Sequence, residues 1–320
     1  MRALLCPASL KGVLTASEAA VALARGVRET GAEAVELAVA DGGEGTADAL
    51  AAAIGGEWRR ATVSDPLGRA VEARWLQLGD GRAVVEAAAA VGLPLLAPAE
   101  LDPLRATSRG LGELFLAALE SNPASLVVAL GGTATVDGGA GLLEVVGALP
   151  VPTVALCDVR TLLADAPRLY GPQKGASAGD VMLLERRLAA MEELKPFAEV
   201  PGSGAAGGLG AALASLGAEL APGAPAVLEL LGFDAHLASS DLVVTGEGRV
   251  DATTAEGKAP GEVARRAVAA GVRCVVFGGR IEVELSGVET VELSGDPARA
   301  EEDLVDLGRR LGEASRLPSG

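Results

Sequence analysis

Asp41 and Glu44 stand three residues apart in Ala40-Asp41-Gly42-Gly43-Glu44-Gly45-Thr46, a turn with three glycines in four positions. Ahead of it, Ala34 to Val39 is apolar and partly β-branched, as a buried strand is; behind it, the alanine-rich run Ala47 to Ile54 reads as a helix. A strand that feeds a glycine turn and then a helix gathers unpaired backbone N–H groups at a helix N-terminus, which suits an anion such as phosphate. Bare carboxylates in the same turn would repel that phosphate. They fit if a divalent cation lies between, or if one of them takes a proton from a substrate hydroxyl. The other reading is a tight turn carrying two solvated acids.

Further chemistry-bearing residues lie at similar places. Only four of the 27 basic residues are lysine, and Lys11, Lys174 and Lys258 all sit in glycine- or serine-rich turns, where a flexible point charge meets phosphate or carboxylate. Ser9 and Lys11 follow the short apolar strand Arg2 to Cys6. Asp137 lies inside Gly131-Gly132-Thr133-Ala134-Thr135-Val136-Asp137-Gly138-Gly139-Ala140-Gly141, a second strand–glycine turn–helix, and Asp158 ends a third strand. The strand Asp241 to Thr245 is expected to run into a loop with Glu247 and Asp251, and Lys258 stands where the next helix starts.

Several sites are disfavoured. Gly257-Lys258 is not a Walker A motif, because Ala259 occupies the Ser/Thr position. Gly202-Ser203-Gly204-Ala205-Ala206-Gly207 matches a dinucleotide fingerprint weakly, since Val200-Pro201 is a poor strand; a tight glycine entry into a helix from Ala205 is the better reading. No Cys/His spacing suits zinc, and no nucleophile elbow is present.

These residues need strand ends to hold them. At 320 residues, two domains are the default. Hydrophobic residues make up 49% and aromatics only 2%, so the cores must be built from Leu, Val and Ala. Thr15-x-x-Glu18 is a capping box opening a helix with Ala20, Leu23, Ala24 and Val27 on one face. Strand, helix, strand, helix is a right-handed parallel unit with its ligands at the strands' carboxyl ends. After Gly56 the short strands Trp58 to Val63, Val71 to Leu78 and Ala83 to Glu86 form a meander that marks a domain crossing. The fold expected is α/β: a flavodoxin-like parallel sheet of order 2-1-3-4-5 from residues 1–56 and 237–320, with a second α/β domain of mixed sheet, 57–236, inserted. The net charge of −16 argues against nucleic acid and anionic membranes as partners. No apolar run reaches membrane-spanning length, no leader pattern is seen, and three cysteines without C-x-x-C spacing read as small reduced hydrophobes; a cytoplasmic protein is expected.

The motifs, taken in order, resemble those of the bacterial-type (type I) glycerate kinases. They are Pro-x-Ser-x-Lys at 7–11, ADGGEGT at 40–46, TSRGxGEL at 107–114, GGTATxDGGAG at 131–141, Cys157-Asp158, GPQKGAS at 171–177, PGSGAAGG at 201–208 and TGEGRxD…GK at 245–258. The resemblance implies transfer of the ATP γ-phosphate to D-glycerate, giving 2-phosphoglycerate, with Mg²⁺. It assigns catalysis to Asp41, Asp251, Lys11 and Lys174, and substrate binding to Ser9, Ser108, Arg109 and Lys258. Nucleotide phosphates would fall to Gly42, Gly43, Gly45, Thr46, Gly131, Gly132, Thr133, Gly138 and Gly139, and the metal to Glu44, Asp137, Asp158 and Glu247. A homodimer is left open. The family usually carries Asp at the position of Ala8, Asn at Val136 and Gln at Thr253, and a Thr-Asn-Pro-Leu run where this chain has Arg160 to Leu163. Losing a carboxylate and two amides motivates the alternative of a family-derived binding protein with weak turnover. A nicotinamide dehydrogenase through Gly202 to Gly207 is the third reading.

Overall fold

The computed structural model describes residues 1–255 and 257–314; the final residues of the expected first domain, 315–320, lie outside them. Eleven strands are present among the described residues: β1 (Arg2–Pro7), β2 (Glu33–Glu36), β3 (Glu57–Ser64), β4 (Ala70–Gln77), β5 (Arg82–Glu86), β6 (Ser125–Ala129), β7 (Thr153–Cys157), β8 (Glu219–Pro222), β9 (Leu242–Val250), β10 (Arg273–Ile281) and β11 (Glu289–Glu292). The chain divides into two compact units. The first holds Met1–Asp41, Asp48–Ile54 and the chain from Ala224 onward; the second holds Gly42–Ala47 and Gly55–Gly223.

The first unit is a five-stranded parallel sheet of order β2-β1-β9-β10-β11, which in its own count is 2-1-3-4-5, as expected. Ala3 to Cys6 of β1 and Leu242 to Val244 of β9 are continuous apolar runs because both faces are covered there, and all are buried. On one face Leu5, Val244, Val275 and Phe277 pack against Leu23 and Val27 of the helix Ala16–Glu29 and Leu304 and Leu311 of the helix Ala300–Ala314. The two helices cross at glycines. A Cβ on Gly26 would lie 1.9 Å from the Val305 carbonyl oxygen, and one on Gly308 2.3 Å from that of Leu23. The Thr15/Glu18 capping box forms as read from the sequence.

β9 corrects one expectation. Gly246 to Val250 is strand, not loop, and stays paired with β10 as far as Val250 and Ile281. The glycine that looked like a turn instead makes room: a Cβ on Gly246 would stand 2.2 Å from the Phe277 carbonyl oxygen and 2.6 Å from its ring.

The second unit has a six-stranded mixed sheet of order β3-β4-β5-β6-β7-β8. β3 to β5 form the antiparallel meander and β5 to β8 run parallel. Val85, Leu126, Val128 and Ala155 pack under Leu111, Leu114 and Phe115 of the helix Arg109–Leu119 and Leu209 and Leu213 of the helix Ala205–Ser215. The entry to the latter helix differs from the expectation of a simple start at Ala205. Ala206, Gly207 and Gly208 adopt left-handed backbone, with φ of 53°, 72° and 99°. Gly207 is forced to be glycine, since a Cβ there would lie 2.1 Å from the Thr135 carbonyl oxygen. No strand leads directly into Gly202 (the stretch just before it is the 3₁₀ segment Glu192–Phe197 and a turn), so the βαβ context of a dinucleotide fingerprint is missing.

Candidate active site

In the first unit the strand order reverses between β1 and β9, the switch point at which open α/β sheets bind ligands. The chain leaving β1 carries Ser9 and Lys11, both exposed, and stays beside β9: Ala8 N–H donates to the Gly246 carbonyl at 2.9 Å. Asp41, half-buried, ends the extended chain after β2, whose Val39 N–H still donates to Pro7 O at 3.0 Å.

The carboxyl end of β9 holds the densest charge. Thr254 Oγ1 donates to Glu247 Oε1 at 2.6 Å and accepts the Asp251 N–H at 3.0 Å. Thr253 donates to Asp251 Oδ1 through its N–H at 2.9 Å and its hydroxyl at 2.5 Å. Lys258, at the N-cap of the helix Ala259–Ala269, places Nζ 3.5 Å from Glu247 Oε2 and 3.8 Å from Asp251 Oδ1. The two acids differ. Burial pushes Glu247 above the usual carboxylate range, against the Thr254 hydrogen bond and the Lys258 charge. The Thr253 hydroxyl, with its N–H and Lys258, holds Asp251 below that range. Neighbouring groups whose proton affinities are driven apart are the arrangement acid–base chemistry uses.

In the second unit, the 42–47 turn packs against the loop after β6. A Cβ on Gly131 would lie 2.7 Å from Gly43 Cα, and one on Gly42 2.8 Å from Leu156 Cβ, so these glycines serve close approach. Gly45, at φ of 89° with open space around it, serves backbone conformation alone. Thr46 is buried with its hydroxyl on Gly43 O at 2.7 Å. The Ala47 N–H at the start of the helix Thr46–Ile54 donates to Glu86 Oε1 at 2.8 Å. An internal carboxylate thus already meets a donor that the glycine turn suggested for a phosphate. Glu86 was not singled out from the sequence; its signal is an acid closing the apolar run of β5. Glu44 is exposed, and its Oε2 lies 3.9 Å from where a Cβ on Gly132 would stand.

Asp137 is engaged by backbone and serine. It accepts from Ser108 N–H and Oγ, both at 2.8 Å, from Gly139 N–H at 3.1 Å and from Gly141 N–H at 3.2 Å. Ser108, fully buried, accepts the Leu142 N–H at 3.0 Å, so the pair clasps the helices Arg109–Leu119 and Ala140–Val145. Gly138 and Gly139 face Met191 and Ala212 at distances that admit no Cβ, 2.6 and 2.3 Å. Arg109 is exposed and turned to Glu113, at 3.1 Å, and Glu144, at 3.4 Å.

Lys174 is the exception among the charged groups here. It ends the 3₁₀ turn Pro172–Lys174 and is only 3% exposed. Its Nζ donates to Thr135 O at 2.8 Å and Thr133 Oγ1 at 3.2 Å. Burial lowers its pKa to about 7, against the pull of Asp137 and Asp158. Asp158 follows β7, with Oδ2 3.3 Å from where a Cβ on Gly131 would be. Among the described residues, no three His, Cys, Asp or Glu side chains converge as a ready-made metal cage.

The chain is thus an α/β protein whose first unit carries paired acids and a lysine at the switch point of its sheet and whose second unit carries a buried lysine beside Thr133. The glycerate kinase family model matches residues 3–152 and 150–296, and the chain belongs to the glycerate kinase family. It is 41% identical over 305 residues to the glycerate 2-kinase of Escherichia coli (strain K12), covering 81% of this chain and 80% of that protein. It is 36% identical over 333 residues to the glycerate kinase of Bacillus subtilis (strain 168), covering 90% and 87%. A solved Salmonella typhimurium LT2 structure, provisionally titled glycerate kinase 2, superposes with a TM-score of 0.85 at 32% identity, covering 99% of this chain and 98% of that one.

Proposed function

We propose that this protein transfers the γ-phosphate of ATP to D-glycerate, giving 2-phosphoglycerate and ADP. The family supplies the reaction class, and the 2-position follows the glycerate 2-kinase among its relatives. The observation that carries the chemistry is the Glu247–Thr254–Asp251–Lys258 group at the switch point. A bond forms between the substrate 2-oxygen and Pγ while the Pγ–O bond to the β-phosphate breaks, and the hydroxyl proton leaves to a carboxylate. Asp251, kept ionised by Thr253, orients that hydroxyl and receives its proton late in a loose transition state that needs little base strength. Ser9, Lys11 and Lys258 offer donors and positive charge to the substrate carboxylate and the transferred phosphoryl group. In the second unit the buried Lys174 holds its positive charge beside Thr133.

Mg²⁺ fits this donor set. Such an ion keeps most of its waters and takes one or two protein carboxylates beside the nucleotide phosphates. Glu247 would hold it, beside the Lys258 ammonium that already answers its charge. When bound, such an ion would offset the negative charge of the nucleotide phosphates. Three buried thiols, Cys6, Cys157 and Cys274, suit a reducing compartment, and we place the protein in the cytoplasm; no helix among the described residues is long and apolar enough to cross a membrane.

The test is ADP release coupled to NADH oxidation, with D-glycerate, ATP and Mg²⁺, followed by direct enolase consumption of the product. Turnover with a product that enolase takes up supports the reading. No glycerate-dependent ADP release from protein that binds ATP overturns it, and a product that needs a mutase first overturns the 2-position.

A further inference from the structure

Thr254 belongs to no motif position read as functional, yet its hydroxyl joins both acids at the carboxyl end of β9. Its side chain is fully buried in a segment whose neighbours Thr253 and Gly257 are exposed. The hydroxyl has one proton to give and lone pairs to receive with, and it uses both. It donates to Glu247 Oε1 at 2.6 Å and accepts the Asp251 N–H at 3.0 Å, while the Thr254 N–H donates to Asp251 O at 3.0 Å. Thr254 is itself held from behind. The start of the helix Ala259–Ala269 runs so close that a Cβ on Gly261 would stand 1.8 Å from the Thr254 carbonyl oxygen. One hydroxyl oxygen therefore ties a carboxylate on a strand to the backbone that carries the next carboxylate, and a packed helix backs the main chain from which that hydroxyl projects.

From this geometry we infer that Thr254 is a positioning residue of the phosphoryl-transfer site, fixing the Glu247 carboxylate relative to Asp251 so that the pair faces Lys258 as one unit. The inference rests on the kinase reading above for what the pair does, though not for the wiring itself. Lys258 reaches both acids, at 3.5 and 3.8 Å, only while they share this spacing. Without the hydroxyl, Glu247 keeps its partly buried place on β9 and loses its donor, and the Asp251 N–H loses its acceptor. The pair can then rotate apart by fractions of an ångström, the scale on which a positioned nucleophile loses rate. Serine retains the oxygen and removes only a methyl; valine retains the shape and removes only the oxygen.

Thr254→Val and Thr254→Ser are compared with the parent in three measurements: steady-state kinetics, thermal unfolding, and hydrogen exchange at the Asp251 amide by NMR. The expected result for Thr254→Val is a kcat lowered about 30- to 100-fold with KM for glycerate within threefold, a melting temperature within a few degrees of the parent, and faster exchange at Asp251. Thr254→Ser should restore kcat to within about threefold of the parent and protect Asp251 as the parent does. Retention of kcat in Thr254→Val overturns the proposal. So does an equal loss in both variants that follows the melting temperature, which marks a purely structural residue. If the parent itself shows no glycerate-dependent turnover, the kinase reading fails, and the Asp251 amide decides the wiring alone: unchanged exchange in Thr254→Val overturns it.

Discussion

The two units present charge at parallel strand ends in opposite manners. At the end of β9, Glu247, Asp251 and Lys258 answer one another with side chains 13%, 28% and 33% exposed, and their contacts are with other side chains and one short turn. In the second unit, Asp137 accepts three backbone N–H groups and a buried serine hydroxyl, and Lys174 is sealed at 3% exposure. Both places follow the same pattern of apolar strand, glycines and an acid. The count of backbone donors aimed at the acid separates them. An acid that answers three N–H groups holds two helices together, whereas the acids at β9, met by hydroxyls, an ammonium and a single N–H, have lone pairs to lend.

The contrast predicts different failures, and Asp251→Ala should give the largest. Turnover is expected to fall about 10³-fold or more, the scale of losing a positioned catalytic group, with a melting temperature near the parent's because Asp251 is partly exposed. A large drop in melting temperature would make this end of β9 structural and dissolve the distinction. Lys174→Met comes next, with activity lowered about 10²-fold. Its stability signature has a definite sign. Folding lowers the Lys174 pKa from 10.5 to about 7, so between those values the unfolded chain binds the extra proton and stability rises with pH. Below about pH 7 both states are protonated, and the cost of the buried charge is fully present. Chemical denaturation at pH 6.5 and 9.5 should show this rise in the parent, and its slope should flatten in Lys174→Met.

Asp137→Ala should reverse the pattern seen at Asp251. Stranding the buried donors of Ser108, Gly139 and Gly141 is expected to cost roughly 2–4 kcal/mol in stability, read as a lowered denaturation midpoint. Magnesium dependence of any remaining turnover should stay unchanged. A shift in that dependence would return Asp137 to the metal. Arg109→Ala should do least. Its exposed pairs with Glu113 and Glu144 are worth about 0–1 kcal/mol, and KM for glycerate should move less than threefold.

The fold was largely legible because its signals are local and redundant. The apolar runs of β1, β6 and β9, the capping box at Thr15 and the meander after Gly56 each name one element. The site was legible only as residue types. Asp41, Glu44, Asp137 and Glu247 look alike on the page, each an acid beside glycines, and nothing in the spacing reveals that Asp137 is claimed by Ser108, a residue 29 positions away. Glycines misled in the same way. Gly246 suggested a loop and Gly207 a simple helix entry, whereas the first lets Phe277 approach inside a sheet and the second admits the Thr135 carbonyl. A missing Cβ has two uses, turning and touching, and the sequence writes both with one letter.

The crossing of the helices Ala16–Glu29 and Ala300–Ala314 bears on how the chain is made. Leu23 and Val27 emerge from the ribosome early, but Leu304, Leu307 and Leu311, which cover the same face of the sheet, are added only after more than 270 further residues. At about 5–20 residues per second, that face waits on the order of fifteen seconds to a minute for its lid, long enough for a chaperone to find it. The second unit is complete at Gly223, and its core, from Val63 to Ala218, closes after a much shorter wait. Vectorial synthesis thus favours an order in which the inserted unit folds first and the N-terminal segment is held in trust until the last helix arrives.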